Sequence, residues 1–210
     1  MMLENESWLP LFPLNTVLFP GGILPLKVFE TRYIDMVRDC MKTATPFGIV
    51  LISSGQEVGA AAIPEDVGCI ANITEWDMPS LGLLMLRTQG GERFRIVETR
   101  VLADQRLEAR VTMIAPDAAV AASAIHVSCA RALKIVIDEI SAQMQAQDVV
   151  GESPFAEPAL LDDAGWVANR WCEILPISMK AQQKLMELGD AESRLAVVYR
   201  YLQQHQIVEA

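Results

Sequence analysis

Apolar residues in the first half of the chain form short runs separated by prolines, glycines and polar turn residues. Such runs are typical of β-strands joined by turns, and they cover residues 8–14, 22–28, 47–53, 68–75, 83–88, 93–101 and 107–114. The run at 47–53 is apolar at nearly every position, which predicts a strand buried on both faces. From Phe29 to Cys40, by contrast, apolar residues repeat every three or four positions, which predicts a helix.

Glycine and proline predict where the chain turns. Pro20, Gly21 and Gly22 predict a tight reversal, because glycine can adopt the positive φ that such a turn needs. We expect the runs on either side of it to lie close together, with Pro25 helping to set their crossing. Residues 76–82 are expected to form a hairpin loop, and residues 89–91 a further turn. About six or seven short strands with one helix predict a barrel or a sandwich.

The pattern changes at Pro116, where β signals stop and helical periodicity begins. One apolar stripe repeats every three or four residues along a long helix and consists of Cys129, Leu133, Val136, Ile140 and Met144. Three more helices are expected at residues 160–174, 178–188 and 190–202. The paired Asp162 and Asp163, together with Ser178 and Asp190, stand where helix N-termini need capping, and Gly189 fits the C′ position after a helix. We therefore predict an α+β chain with a β-barrel subdomain at 1–115 and a helical bundle at 116–210.

Composition and charge narrow the possible partners. The chain is 51% hydrophobic with a net charge of −10, so it is expected to fold and not to bind nucleic acid. Arg93, Arg95 and Arg100 are the nearest approach to a basic patch and are interpreted as a solvated strand face. No apolar run approaches the ~18 residues of a membrane span, and the acidic N-terminus does not resemble a secretory signal. These features favour a cytoplasmic protein without a membrane partner.

The sequence contains few residues in arrangements typical of catalysis or metal binding. The four cysteines lie apart in apolar segments, which indicates buried, reduced thiols. His126 and Cys129 are the only pair with ligand-like spacing, so we expect no metal, and His126 is interpreted as a partly buried core residue. Nucleotide-binding and hydrolase motifs are absent. We therefore expect no cofactor, no catalytic residues and no enzyme activity.

Several segments resemble one known family. The opening LPLFPLNTVLFPGGILPLKVFETRY is similar to the start of the Lon protease N-terminal, substrate-binding domain. VGCIANITE, RTQGGERFRIVE, LEARV and the helical segment at 160–202 follow in the family's order. The resemblance spans residues 9–202 and implies a PUA-like pseudo-barrel followed by a helical bundle. It also implies a structural role for a set of motif residues: Pro20, Gly21, Gly22, Pro25, Phe29, Arg32 and Tyr33.

In Lon proteases this region helps to recognise protein substrates, and ATPase and protease modules follow it. Here the sequence stops at Ala210, which resembles the stand-alone members of the family. We therefore expect a non-catalytic module whose partners are unfolded or apolar protein segments, with a protease as a further candidate partner. Binding would combine apolar burial in a groove with main-chain hydrogen bonds at a sheet edge.

The candidate contact residues lie in the apolar hairpin loop, because hairpin tips are exposed. They are Trp76, Met78, Pro79 and Leu81. Two alternatives remain open. One is a nucleic-acid-binding PUA-like protein, and the other is a small-ligand enzyme that uses a cleft between the barrel and the bundle.

Overall fold

The structure is a computed structural model that describes residues 8–120, 123–146 and 153–209. It divides into two compact units, with the division between Pro116 and Asp117. The first unit contains six strands and one helix: β1 (Leu9–Leu14), β2 (Ile23–Val28), α1 (Thr31–Thr43), β3 (Phe47–Ser54), β4 (Ile63–Ser80), β5 (Leu83–Val101) and β6 (Leu107–Met113). The prediction of an α+β chain with about six strands is confirmed, but β4 and β5 are long strands rather than short ones.

The six strands form one barrel-like sheet in the order β2-β5-β4-β3-β1-β6, and β5 also pairs with β6. Strand β5 allows the sheet to curve into a barrel-like shape because it is 19 residues long. Its first half pairs with β2 and its second half with β6, while β4 runs antiparallel beside both halves. β3 is buried from Phe47 to Leu51, as its apolar run predicted.

The turn expected at residues 89–91 is wrong, because β5 runs straight through Gly90 and Gly91. Gly90 is instead a point of close backbone approach. The N–H of Gly21 donates to the Gly90 carbonyl, and the N–H of Gly90 donates to the Gly22 carbonyl, both at 2.8 Å. A Cβ on Gly90 would overlap the carbonyl oxygen of Phe19. A glycine inside a strand is therefore needed for packing here.

The predicted reversal at Pro20–Gly22 is confirmed. The N–H of Gly22 donates to the Phe19 carbonyl at 2.9 Å, and Gly21 has a φ of +73°. This is the geometry of a type II turn, with proline and glycine at the positions that favour each. The flanking strands, which were expected to lie close together, do not pair with each other. β1 pairs with β3 and β6, whereas β2 pairs with β5.

The core of this unit forms around Phe94 at the centre of β5. Its ring lies over Gly48 and occupies the space that a side chain there would take, since a Cβ would lie 2.6 Å from the ring. Leu11, Val50 and Leu107 complete the same buried cluster. A strand that carries a glycine beneath a large aromatic ring can approach that ring closely. This close approach gives the interior the packing density that is typical of proteins.

The second unit contains α2 (Ala124–Ala146), α3 (Ala164–Ile174), α4 (Met179–Glu187) and α5 (Ala191–Gln204). The predicted N-caps Ser178 and Asp190 are confirmed, and of the pair Asp162 and Asp163 it is Asp163 that caps α3; each accepts a backbone N–H from the first turn of its helix. α3 begins at Ala164, later than the expected start near Leu160. Gly189 follows the C-cap Leu188, as expected, but its φ is not positive, and α4 ends through Leu188 in an extended conformation. On α2, only Cys129 and Leu133 of the predicted stripe are fully buried.

A buried arginine connects three parts of the helical unit. Arg194 on α5 is 1% exposed. Its guanidinium donates to both carboxylate oxygens of Asp117, at 2.7 and 3.2 Å, and to the Asn169 side chain at 2.9 Å. It also donates to the carbonyls of Leu185 and Leu188. One side chain thus connects the segment before α2 with α3, with the end of α4 and with α5.

We expect Arg194→Met to lower the free energy of unfolding by about 3 kcal/mol or more. Removing one member of a buried ion pair leaves the other charge, and here several carbonyls, without compensation. Arg200→Met on the exposed face of the same helix is the matched control and should change it by less than ~0.5 kcal/mol. Urea unfolding followed by circular dichroism measures both, and equal effects would contradict the assignment.

We also expect Gly90→Ala to lower the free energy of unfolding by roughly 1–3 kcal/mol, because overpacking forces the backbone apart. Gly189→Ala serves as the control, since a Cβ at Gly189 meets nothing within 4 Å. The same urea experiment applies. A Gly90→Ala protein as stable as the control would show that the close approach to Phe19 is not required.

Candidate functional site

Three strands extend past the rest of the sheet and form what we call the arm. It consists of residues 72–80 of β4, residues 83–89 of β5, and β2. The last β4 residue paired with β3 is Ala71, opposite Phe47, while the pairing of β4 with β5 continues to Ser80. Leu81 and Gly82 alone form the turn, with Gly82 at a φ of +80°.

The predicted hairpin is therefore confirmed, but its expected loop at residues 76–82 is wrong. Trp76, Met78 and Pro79 lie in β4, and only Leu81 lies in the turn. Strand pairing fixes the faces of this arm, because residues directly opposite each other point to the same side. Trp76 stands opposite Leu86, and Leu86 stands opposite Leu26.

The row formed by Leu26, Leu86 and Trp76 runs from the protein interior to the solvent. Leu26 and Leu86 are buried, whereas Trp76 is 57% exposed at the outer edge of β4. The other face of the arm carries the row Lys27, Met85 and Asp77. One face of the arm is therefore apolar. It continues outward from the core, and no further strand covers its outermost side chain, Trp76.

Exposed apolar side chains concentrate towards the end of the arm, and we call this group the patch. Leu81 is 99% exposed and Met78 45%, and exposed large side chains of this kind mark binding surfaces when they cluster. The patch consists of Trp76, Met78 and Leu81, with Pro79 also exposed between Met78 and the turn. Met85, on the opposite face of the arm, and Phe29, directly after β2, are exposed as well.

Phe29 corrects a prediction from the sequence. It was expected to begin α1 and to face inward, but α1 begins at Thr31 and Phe29 is 58% exposed. It follows Val28, the β2 residue that pairs with Leu84 beside the turn of the arm. Its four-residue spacing to Tyr33 suggested an inward helical position, whereas Glu30 in the N-cap position places Phe29 outside the helix.

Arg32 and Tyr33, two of the motif residues, have contacts that hold loops together. The Arg32 side chain donates to the carbonyls of Gln105, at 2.9 Å, and Glu57, at 3.4 Å, and it stacks over the Tyr33 ring. Tyr33 in turn stacks on Phe12 with ring centroids 4.2 Å apart. Burial raises the pKa of the Tyr33 phenol. These contacts fix the start of α1 against two loops at one end of the sheet.

The arginine row predicted on β5 is only partly exposed. Arg95 and Arg100 are exposed, but Arg93 is buried at the centre of the sheet. Arg100 lies over the Trp8 ring, 4.2 Å from its centroid, and forms an ion pair with Glu108. The expectation of a continuous solvated face is therefore wrong at Arg93.

The four cysteine thiols and His126 lie inside the protein. His126 is buried, as predicted, with its Nε2 atom 2.9 Å from the Leu161 carbonyl oxygen. Within residues 8–120, 123–146 and 153–209, no group of three or more metal-ligating side chains could hold an ion. The helices described there are also too short or too polar to cross a membrane.

The architecture identifies the class of protein before any single relative does. A barrel-like sheet followed by a helical bundle is the fold of Lon N-terminal domains. The family model described as ATP-dependent protease La (LON) substrate-binding domain matches residues 8–204, and the chain belongs to this family.

Solved structures and sequences of relatives agree with this assignment. The Lon N-terminal domain protein from Xanthomonas campestris is 32% identical, with a TM-score of 0.72 over 93% of this chain and 98% of that one. The N-terminal domain of Mycobacterium avium complex Lon protease, at 17% identity and a TM-score of 0.58, shares the fold over 95% of this chain and 100% of that one.

Two Lon proteases are similar in sequence across most of the chain. Lon protease 2 of Myxococcus xanthus is 27% identical over 203 residues, and the Lon protease of Anaeromyxobacter dehalogenans (strain 2CP-C) is 25% identical over 200 residues. Each match covers 92% of this chain but only 23% of the relative. The chain therefore spans about a quarter of the length of these relatives.

We expect the cysteines to resist modification in the folded protein. All four are buried, and burial raises the pKa of Cys129 and Cys172 to about 12 from an ordinary value of 9.0. Iodoacetamide at pH 8 should leave the native protein unmodified and should alkylate four thiols in urea, as measured by mass spectrometry. Rapid native alkylation would contradict the buried positions.

The same thiols should make the protein less stable in alkali. Between about pH 9 and 12 the unfolded chain releases thiol protons that the folded protein retains, so the free energy of unfolding falls as pH rises. Cys172→Ala should make this decline shallower in a series of urea titrations. A slope unchanged by the substitution would exclude Cys172 as a contributor.

Proposed function

We propose that this protein binds exposed apolar segments of other proteins through the patch and performs no catalysis itself. The observation that carries the proposal is the concentration of large exposed apolar side chains at the end of the arm. Such side chains are costly to leave in water unless a partner covers them. An unfolded protein exposes many more apolar side chains than a folded one.

The family supports the same conclusion. Its description names a substrate-binding domain of an ATP-dependent protease, and the relatives that match are Lon proteases. The part of those relatives that corresponds to this chain is the recognition region rather than the whole enzyme. Of the activities of these relatives, we therefore infer only substrate recognition for this chain. The exposed apolar side chains of the patch provide a physical basis for that recognition.

The expected affinity is modest. Each large apolar side chain that moves from water into a packed contact stabilises the complex by about 1.5–3 kcal/mol. Association costs several kcal/mol in lost freedom, and an unfolded client also loses chain entropy. A patch of this size therefore suits micromolar dissociation constants, which fit a module that must release many different clients. Buried thiols are consistent with the reducing cytoplasm as the place of action.

The test uses a permanently unfolded client, prepared by reducing a small secreted protein and carboxymethylating its cysteines. We expect the double variant Trp76→Ala with Met78→Ala to weaken binding of the labelled client at least tenfold in fluorescence anisotropy. The matched control is Val97→Ala with Val101→Ala, two exposed apolar residues at the opposite end of β5. It should bind like the unaltered protein.

Both variants change exposed positions, so circular dichroism and thermal unfolding should match those of the parent. Equal binding by the arm variant and the parent would exclude the patch as the contact surface. A loss in both variants would point to general apolar adhesion rather than to this site.

A further inference from the structure

The outer edge of β4 in the arm has no neighbouring strand among the described residues. β3 covers β4 only as far as Ala71, and from Asn72 onward β4 pairs with β5 on one side alone. An edge strand presents a row of main-chain N–H and C=O groups to its open side, and that row is a template for another strand. The open length, residues 72–80, is longer than an average strand.

Two features limit where a strand could add. Pro79 has no N–H, and the Asp77 carboxylate accepts the Met78 N–H at 2.8 Å, so the end nearest the turn is blocked. β2, the other edge of the arm, carries Pro25 in its middle, and proline there opposes strand pairing. The unblocked stretch is therefore Asn72–Asp77 of β4. Its pairing with β5 shifts register by one residue between Ile73 and Glu75, so Ile73 and Trp76 lie on the same face.

The side chains along this stretch form rows that end at the open edge. Leu26 and Leu86 precede Trp76 in one row, and Leu24 and Thr88 precede Ile73 in the other. Leu86 and Thr88 in the middle are buried, whereas Trp76 at the end is exposed. An added strand would place its own side chains beside Trp76 and Ile73 and would extend both rows by one apolar member.

Charge decides which kind of strand fits. Glu75 and Asp77 flank Trp76 and point to the opposite face of β4. If a second copy of this chain paired antiparallel about Trp76, Glu75 of each copy would face Asp77 of the other, and like charges directly opposite destabilise a sheet. Arg87 stands opposite Glu75 on β5, whereas Asp77 stands opposite Met85. A basic segment would therefore meet the Asp77 carboxylate most favourably, and the net charge of −10 attracts such a segment from a distance.

We propose that the β4 edge from Asn72 to Asp77 binds its clients by strand addition and prefers segments in which apolar and basic side chains alternate. This inference rests on the proposed function and specifies how the same site engages a client. Main-chain hydrogen bonds would supply the part of the affinity that does not depend on client sequence. The apolar and basic positions would supply the selectivity.

The test uses a labelled eight-residue peptide that alternates valine and lysine, together with two versions N-methylated at either the odd or the even amides. Alternate amides of a strand point to opposite sides, so an added strand uses only one set. We expect one methylated peptide to bind at least tenfold more weakly than the parent peptide and the other to bind within about threefold. A valine–glutamate peptide should bind at least tenfold more weakly at low salt.

Protein variants locate the peptide. Trp76→Ala should weaken binding of the valine–lysine peptide at least tenfold, and Val97→Ala should not. Equal binding by both variants would place the peptide elsewhere and overturn the inference. Equal binding of the lysine and glutamate peptides would overturn the preference for basic segments.

The outcomes separate this inference from the proposed function. If neither methylation weakens binding, or both do, strand addition is excluded, while capture of the unfolded client through the patch still stands. If the unfolded client binds and the valine–lysine peptide does not, the alternating pattern is wrong and the patch remains the site. If the arm variant binds the unfolded client like the parent, both proposals fail.

Discussion

The close backbone approach at Gly90 is the constraint on which the β unit depends. The turn at Phe19–Gly22 lies against β5 at this residue, with reciprocal hydrogen bonds to Gly21 and Gly22 and no room for a side chain. This contact fixes where β2 begins, and β2 then pairs with β5 from Gln89 to Leu84. The arm exists because β5 can serve β2 and β6 with different halves of one long strand.

The candidate site follows from how that sheet ends. β3 stops at the level of Ala71, whereas β4 and β5 continue for about one more strand length. The interior rows of the sheet therefore extend outward without a final strand to cover them. The exposure of Trp76 is a consequence of this incomplete pairing, since the side chain stands in a row whose other members, Leu26 and Leu86, are core residues.

The helical unit is held together by a different kind of interaction. Arg194 uses its guanidinium to join Asp117, Asn169 and two chain carbonyls, and Gly165 leaves space for the Asp117 carboxylate, since a Cβ there would lie 2.9 Å from its oxygen. A network of this kind demands specific geometry, because a buried charge without partners is costly. The β unit depends on close backbone packing, and the helical unit on a satisfied buried charge.

The sequence alone determined whatever depends on neighbouring residues. The caps at Ser178 and Asp190 and the Pro20–Gly22 turn are local features, and the structure agrees with each. Family membership could also be recognised from the sequence, because the motifs of the family are short and occur in the same order along this chain. The exposed apolar residues of the arm stood out for the same reason, since they lie beside turn signals, although most of the loop expected there is strand.

Only the tertiary structure decided what depends on distant strands. Gly90 and Gly91 have the composition of a turn, but the approach of Phe19, some 70 residues earlier, makes them part of a continuous strand. Phe29 has helical spacing to Tyr33, but its exposure depends on where β2 pairs with β5. The open edge of β4 could not be predicted either, because an edge is defined by where the neighbouring strand stops. Secondary-structure propensity depends on adjacent residues, whereas strand pairing, burial and exposure depend on the assembled sheet.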